Sequence, residues 1–251
     1  MTPRVTPKCC GSLTMDADVL VAGESGTIEA PSTVYLIEAE ETILVDTSFG
    51  DPAEMTEKHP GFECRRTDDR ALEAALGAEG YDPGDVDSVV FTHLDWDHCY
   101  NLSRFDAETT FYVQRRELAY AIAPYPMHAV RYEAKSIGRT PPWLTHDLTA
   151  IDGETQLCDG VVAFPTPGHT VGHQSVAVET DAGTTVIAAD AVPTFENVDR
   201  EEGTPARRGL AMDDIAWWES ASDVLSRGDR ILPGHEWAIL DAEPGGRGDE
   251  T

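Results

Sequence analysis

The chain places two imidazoles and two carboxylates within a few positions, in the stretch Phe91-Thr92-His93-Leu94-Asp95-Trp96-Asp97-His98. The apolar residues Val89 and Val90 come directly before it and are typical of a buried strand. Imidazole nitrogens and carboxylate oxygens are common ligands of zinc, iron and manganese. If the backbone turns sharply after the strand, these donors can surround one small volume. The stretch therefore predicts a metal site at the end of a strand.

Three further candidate donors lie at similar places along the chain. His169 follows Pro167-Gly168, Asp190 ends the apolar run 185–189, and His235 follows Pro233-Gly234. Each comes at the C-terminal end of a predicted strand, where side chains distant in sequence can converge. An isolated histidine is more often an ordinary core or surface residue, but this repeated placement favours a shared site. The full set is large enough for two ions and comprises His93, Asp95, Asp97, His98, His169, Asp190 and His235.

This pattern resembles the metallo-β-lactamase superfamily, in which His-x-His-x-Asp-His is followed by a distal His, a bridging Asp and a last His. Within the superfamily the chain is most similar to the N-acyl-homoserine-lactone lactonases, through segments 43–47, 111–117 and 166–175. The resemblance implies an α+β fold, an αββα sandwich of two mixed β-sheets flanked by helices. It also implies a dinuclear hydrolase that attacks a lactone or ester bond.

The resemblance assigns a first ion to His93 and His169, with Asp95 at a position where the family carries a histidine. In the family, two divalent ions, two carboxylates and one hydroxide sum to a charge of about +1, and ligation by Asp95 would lower this sum to about zero. The attacking water should then be less acidified, and iron or manganese should compete better with zinc. The alternative is that the short Asp95 side chain does not reach the ion, which would leave the first position weak or empty.

The resemblance assigns a second ion to Asp97, His98 and His235. Asp190 would bridge the two ions, with a water or hydroxide between them as the nucleophile, so Asp97 and Asp190 are the catalytic candidates. Zinc is the expected metal, with iron or manganese as alternatives. Ligating imidazoles usually donate their second N–H to a carboxylate or carbonyl, and Asp46 is the candidate for that contact. The lactonases place a tyrosine shortly after the bridging aspartate, whereas this chain has Pro193 there.

Other functions stay open at this point. The superfamily includes non-haem iron enzymes with redox or sulfur-dioxygenase chemistry, and thioesterases of the glyoxalase II type. A binding module with a degraded site is a third alternative, although every other donor position is retained. We expect a small-molecule substrate and no nucleic acid or membrane partner, with a homodimer as one option. No inserted domain or basic surface is visible for gripping nucleic acid.

The formal charge of −28 comes from 18 basic and 46 acidic residues spread along the chain. Such a composition is typical of proteins from halophiles, whose surface repulsion is screened by high salt. The five cysteines form no Cys-x-x-Cys pair, which favours reduced thiols. No stretch approaches the roughly 18 apolar residues of a membrane span, and the N-terminus lacks an apolar signal core. We therefore expect a soluble cytoplasmic protein.

The length of 251 residues is compatible with one domain over residues 1–251, with a disordered tail at 243–251. Antiparallel strands are expected first, including one at 19–22, followed by an irregular segment at 51–66 and a helix at 68–78. Later helices are expected at 115–123 and 212–225. The Pro- and aromatic-rich segment 124–143 is either a lid near the site or a surface loop.

Aromatic side chains and one methionine could line an apolar substrate pocket, although core packing is the more frequent role of such residues. The candidates are Trp96, Tyr100, Met127, Trp143 and Trp217. His173, four residues after His169, is expected to support a ligand or to lie in a turn, and the histidines at positions 59, 128 and 146 lack a motif that would suggest a function.

Overall fold

The computed structural model describes residues 2–240, which form two large β-sheets and a small two-stranded ribbon. The strands are β1 Arg4–Asp16, β2 Thr27–Glu38, β3 Thr42–Val45, β4 Glu63–Arg65, β5 Ser88–Val90, β6 Thr110–Gln114, β7 Leu148–Ile151, β8 Thr155–Cys158, β9 Val161–Pro165, β10 Gln174–Thr180, β11 Gly183–Ala189, β12 Val198–Asp199, β13 Thr204–Pro205 and β14 Arg230–Pro233. The α-helices are α1 Pro52–Lys58, α2 Leu72–Gly77, α3 Arg115–Ile122 and α4 Asp214–Arg227.

Parallel strand pairs bring the candidate donors to one edge. In the sheet ordered β4-β1-β2-β3-β5-β6-β7, strands β3, β5 and β6 run parallel. In the sheet ordered β14-β11-β10-β9-β8, strands β11 and β14 run parallel, with Ala189 opposite Pro233. Because the C-terminal ends of parallel neighbours meet at the same edge, the residues after β11 and β14 emerge side by side.

The two sheets pack face to face around one apolar core. This core draws Val5, Tyr35, Ile37, Ile43, Val45 and Val90 from the larger sheet and Val161, Val176, Val178, Ile187 and Leu232 from the smaller. A second cluster packs α2 and α3 on the outside of the larger sheet, and a third packs α4 on the outside of the smaller. The expected αββα arrangement is therefore confirmed.

Several local predictions of secondary structure were wrong. Segment 51–66 is not irregular, since the Asp51 side chain accepts from the Glu54 amide and Pro52 begins helix α1. No strand forms at 19–22, because β1 already ends at Asp16 and a 3₁₀ turn follows. The helix expected at 68–78 is divided at Ala71, whose ψ of 148° is extended. Strands β7 and β8 were missed, and the tail at 243–251 lies outside the described residues.

Two observations concern the chain's environment. All five cysteines are free thiols. Within residues 2–240, no helix combines the length and the apolar character that crossing a membrane requires.

Candidate metal centre

The structure brings all the sequence-derived donors into one cluster between the sheet edges. The imidazole centroid of His93 lies 4.1 Å from that of His98 and 4.7 Å from that of His169, and His98 lies 5.5 Å from His235. Donor atoms within 4.8 Å of one another form three overlapping groups, which are His93 with Asp95 and His169, His93 with His98 and Asp190, and Asp97 with His98 and His235. All seven side chains are buried except that of Asp97, which is partly exposed.

Glycine is needed before two of the histidines. Gly168 has a φ of +139°, and a Cβ there would lie 2.3 Å from the backbone of Trp217. At Gly234 a Cβ would lie 2.5 Å from a carboxylate oxygen of Asp190. The Pro-Gly-His sequences therefore let each histidine backbone approach its neighbours more closely than any side chain would allow.

Hydrogen bonds orient the imidazoles so that Nε2 faces the centre of the cluster. His98 Nδ1 lies 2.8 Å from Asp46 Oδ2, and His235 Nδ1 donates to the Pro31 carbonyl at 2.9 Å. The Thr92 hydroxyl donates to Asp46, so it accepts from His93 Nδ1 at 2.9 Å. In its neutral form, each of these rings therefore presents its Nε2 lone pair to the centre of the cluster. The contact expected of Asp46 is present. The backbone amide of Thr92 also donates a hydrogen bond to Asp46 Oδ1, which fixes the carboxylate further.

Three buried donor atoms at the centre have no hydrogen-bond partner. They are His93 Nε2, His98 Nε2 and Asp190 Oδ1. Buried polar atoms without partners are rare because each loses its interactions with water without replacement. His235 Nε2 lies 3.3 Å from the same Asp190 oxygen and His98 Nε2 lies 3.6 Å from it, so a cation there would find several donors at once. The residues around Asp97, His98, Asp190 and His235 thus fit a bound divalent ion.

Electrostatics supports the same conclusion. Burial disfavours charge on Asp190, but the surrounding histidines His235, His169 and His98 hold the pKa of its carboxyl well below the usual range. Burial also opposes a charge on the His98 ring, yet the carboxylates of Asp97, Asp190 and Asp46 raise its pKa to about 10. Concentrated negative charge of this kind attracts either protons or a metal cation.

The donors of the first group have a different neighbour, Arg131. Its Nε lies 2.9 Å and its Nη2 2.5 Å from Asp95 Oδ2, and Nε also lies 3.1 Å from Oδ1. Nη2 further lies 2.8 Å from His169 Nε2. Burial opposes ionisation of Asp95, but Arg131 holds the pKa of this carboxyl well below its usual range. The carboxylate of Asp95 lowers the net charge of the cluster by one unit, and the guanidinium of Arg131 raises it again by one unit. The charge sum expected from the sequence did not include this arginine.

A cavity of about 380 Å³ opens above the cluster. Donors Asp95, Asp97, His169, Asp190 and His235 lie among its lining residues, and most of the remaining wall is apolar. The apolar wall comprises Met15, Val19, Leu20, Pro60, Phe62, Trp96, Val130, Pro193 and Leu210. Segment 124–143 contributes Val130, Arg131 and Arg139, so it borders the site as the lid hypothesis expected.

Of the aromatic candidates, only Trp96 lines this cavity. Trp143 and Trp217 are buried in the core clusters outside the two sheets. Met127 is 80% exposed, and Tyr100 packs beside the cavity wall with Phe49 and Trp96. Core packing therefore accounts for most of these aromatics.

Sequence reasoning missed a polar cluster at the cavity wall. The His59 ring stacks on Trp96 at 3.9 Å, and its Nε2 lies 2.7 Å from the buried Glu133 carboxylate. Arg139 and Lys58 also contact Glu133, at 2.9 Å and 3.4 Å. These residues come from separate segments without a motif, so no local signal could have identified them.

Glu117 was also missed as a residue that supports the site. It is fully buried and accepts hydrogen bonds from the amides of Leu94 and Gly172 and from the Thr170 hydroxyl. A Cβ at Gly172 would lie 2.1 Å from the Glu117 amide, so the two loops pack backbone to backbone. His173 donates to or accepts from Thr166 at 2.8 Å, and its ring centroid lies 5.1 Å from that of His93.

Known proteins resemble this chain in sequence and in architecture. The chain is 31% identical to the N-acyl homoserine lactonase AiiA of Bacillus thuringiensis subsp. kurstaki over 183 residues, which is 69% of either chain. The fold matches that of an N-acyl homoserine lactone hydrolase with N-hexanoyl-L-homoserine bound at its catalytic metal centre, with a TM-score of 0.77, 24% identity and 95% coverage of both chains. It also matches AidC, a dizinc quorum-quenching lactonase, with a TM-score of 0.68, 15% identity and coverage of 94% of this chain and 88% of that one.

The family model of the metallo-beta-lactamase superfamily matches residues 27–235, a range that contains every donor of the cluster. This match, together with the sheet order and the convergence of the donors at the sheet edge, shows that the chain is a hydrolase of the metallo-beta-lactamase superfamily.

Proposed function

We propose that this hydrolase opens a lactone, or a similar ester, of a small and largely apolar molecule in a metal-dependent reaction. The observation that carries the proposal is the set of unpartnered buried donors, His93 Nε2, His98 Nε2 and Asp190 Oδ1, beneath an apolar cavity. A site that holds donors without partners in a water-poor pocket is built to receive a cation.

Asp97, His98 and His235, with Asp190, are the residues proposed to hold the ion. A divalent ion held by these residues would act as a Lewis acid toward the scissile carbonyl and would lower the pKa of a bound water toward about 7. Asp97 is partly exposed and lines the cavity, so the carboxylate oxygen that does not bind the ion is placed to accept a hydrogen bond from that water. Asp46 keeps His98 in the tautomer that a metal needs.

The cavity wall supports an uncharged substrate with an apolar portion. The basic groups that reach the wall are already paired, Lys58 and Arg139 with Glu133 and Arg131 with Asp95. An anionic substrate would therefore have to compete with a buried carboxylate for each of them. The relative from B. thuringiensis is an N-acyl homoserine lactonase, and an acyl lactone combines the expected carbonyl with an apolar chain.

Hydrolysis assays with defined metals test the proposal. Protein purified in high salt would be analysed for metal content, then assayed with the same metal on lactones, thioesters and phosphodiesters of matched chain length. Lactone turnover that disappears with a chelator and returns with the metal supports the proposal. Thioester turnover alone, or oxygen consumption by an iron-loaded enzyme, would instead support the thioesterase or the redox alternative.

We propose zinc as the metal, because two imidazoles and two carboxylates in a buried site suit it, and iron and manganese are the alternatives that metal analysis would reveal. We also propose a salt-rich cytoplasm as the working environment, on the basis of the charge of −28 and the five free thiols. The melting temperature should then rise between about 0.1 M and 3 M salt, where the Debye length falls from about 10 Å to under 3 Å. A melting temperature that does not change over this range would contradict the second proposal.

A further inference from the structure

Arg131 occupies a defined place beside the donor cluster. The amide of Trp96, inside the metal-binding stretch, donates to the Arg131 carbonyl at 2.9 Å. The next residue, Tyr132, is fully buried and donates through its hydroxyl to Glu117. Arg131 itself is only 14% exposed. Its backbone and side chain are therefore fixed from several sides, unlike those of a surface arginine.

The contact between Arg131 and His169 uses the lone pair that an ion would need. His169 Nδ1 lies 2.6 Å from the Leu210 carbonyl, which can only accept, so Nδ1 carries the proton. Nε2 of the neutral ring then has one lone pair, and Arg131 Nη2 donates to it at 2.8 Å. A guanidinium has no lone pair to offer in return. An ion and the Arg131 N–H therefore cannot both bind His169 Nε2.

The carboxylate of Asp95 is engaged by the same guanidinium. Both of its oxygens accept from Arg131, and the two side chains are buried, with exposures of 14% and 8%. An ion placed between Asp95 and His169 would have to displace Nη2 and leave a buried cation facing another cation. Separating a buried pair in this way is strongly unfavourable.

The group of Asp97, His98 and His235 contains no such competitor. His98 and His235 contact carboxylates and each other, and their outer nitrogens are held by Asp46 and Pro31. The two groups contain the same types of donor and differ in one respect. The guanidinium of Arg131 already contacts the donor atoms of Asp95 and His169.

We propose that the Arg131 guanidinium takes the place of the first metal ion, so that the protein binds one divalent ion per chain, at Asp97, His98, His235 and Asp190. This inference rests on the metal dependence in the proposed function. The hydrogen bonds of Arg131 within the described residues use Nε and Nη2, while Nη1 makes none and the side chain lines the cavity. Nη1 is thus available to donate to the carbonyl oxygen of a substrate, the position that a first ion would otherwise polarise.

Metal stoichiometry tests the inference without relying on turnover. The parent protein and the variants Arg131→Met and Arg139→Met would be loaded with excess zinc, desalted and measured for zinc per folded chain. The parent should retain one zinc per chain. Arg131→Met should retain two, because it frees His169 Nε2 and Asp95 while keeping the apolar stem. Arg139→Met should retain one, since Arg139 lines the same cavity but contacts Glu133 rather than the donors.

Two further variants keep the test decisive if Arg131→Met does not fold. In the parent background, His169→Ala should leave the zinc content at one per chain, whereas His235→Ala should lower it toward zero. Two zinc ions in the parent, one of them lost in His169→Ala, would overturn the inference and leave metal-dependent hydrolysis intact. A folded Arg131→Met that still retains one ion would overturn it as well. A parent that binds no divalent metal at all would instead overturn the proposed function.

Discussion

Asp97, His98 and His235 lie among other carboxylates and imidazoles, whereas Asp95 and His169 also contact the guanidinium of Arg131. Both groups consist of residues that bind metals well, and both lie on strand-end loops of the same cavity. What separates them is the charge of the nearest neighbour. Ligand type and spacing therefore define where an ion could bind, and the surrounding charges decide whether it does.

Removing a donor from the group of Asp97, His98 and His235, which Arg131 does not contact, should have the largest effect. His98→Ala removes Nε2, a buried atom without a hydrogen-bond partner and a proposed metal ligand. Hydrolysis should therefore fall by more than about 100-fold, because losing a residue that only supports a ligand already lowers activity by up to about 100-fold. The check is a steady-state assay combined with metal analysis. His128→Ala is the control, because His128 bonds Tyr120 away from the cluster. Full activity and metal content in His98→Ala would remove the basis for the site.

For Asp95 and His169, which contact Arg131, we predict an effect on stability instead. In chelator-treated protein, Arg131→Met should lower the free energy of unfolding by about 3 kcal/mol, because it leaves the buried Asp95 charge without its partner. Arg115→Met removes an exposed pair with Asp152 and should change it by less than about 1 kcal/mol. Denaturant unfolding of both variants measures the difference. Equal losses would mean that the Arg131 pair is no stronger than a surface pair.

Asp46 links the comparison to the tautomer of His98. Asp46→Asn should weaken metal affinity by about 10- to 100-fold, because an amide no longer holds the ring as a carboxylate does. Asp87→Asn changes another carboxylate, one that accepts a backbone amide outside the site, and should leave metal affinity unchanged. Competition with a chromophoric chelator gives both affinities. An unchanged affinity in Asp46→Asn would show that the ring is held by other contacts.

The last prediction concerns the proton that a bound ion would displace. Since burial opposes but neighbouring carboxylates raise the pKa of His98 to about 10, the metal-free ring is protonated at pH 7 and must lose that proton when the ion binds. Metal affinity should therefore increase with pH between about 7 and 10, by up to tenfold per unit for this one proton. Calorimetric titration in buffers of different ionisation enthalpy would detect the released proton. Binding heats that do not depend on the buffer would contradict the assignment of His98.

Much of the fold followed from local pattern. Continuous apolar runs such as 185–189 predicted buried strands, and the structure has β11 there. Prediction failed where one residue's side chain changed the local preference, as at Asp51, which caps helix α1. Strands β7 and β8 were missed because their residues are only partly buried and lack strong alternation.

The sequence alone identified the candidate donors, because strand-end histidines and aspartates carry a local signal and parallel strands must bring their ends together. It could not reveal Arg131, which comes from a segment without periodicity, 36 positions after Asp95. Nor could it reveal the Glu133 cluster at the cavity wall, whose members belong to two distant segments, 58–59 and 133–139. Charge pairing between distant segments depends on how loops pack rather than on local spacing. Only the tertiary structure could therefore decide which of the donors remain unpaired.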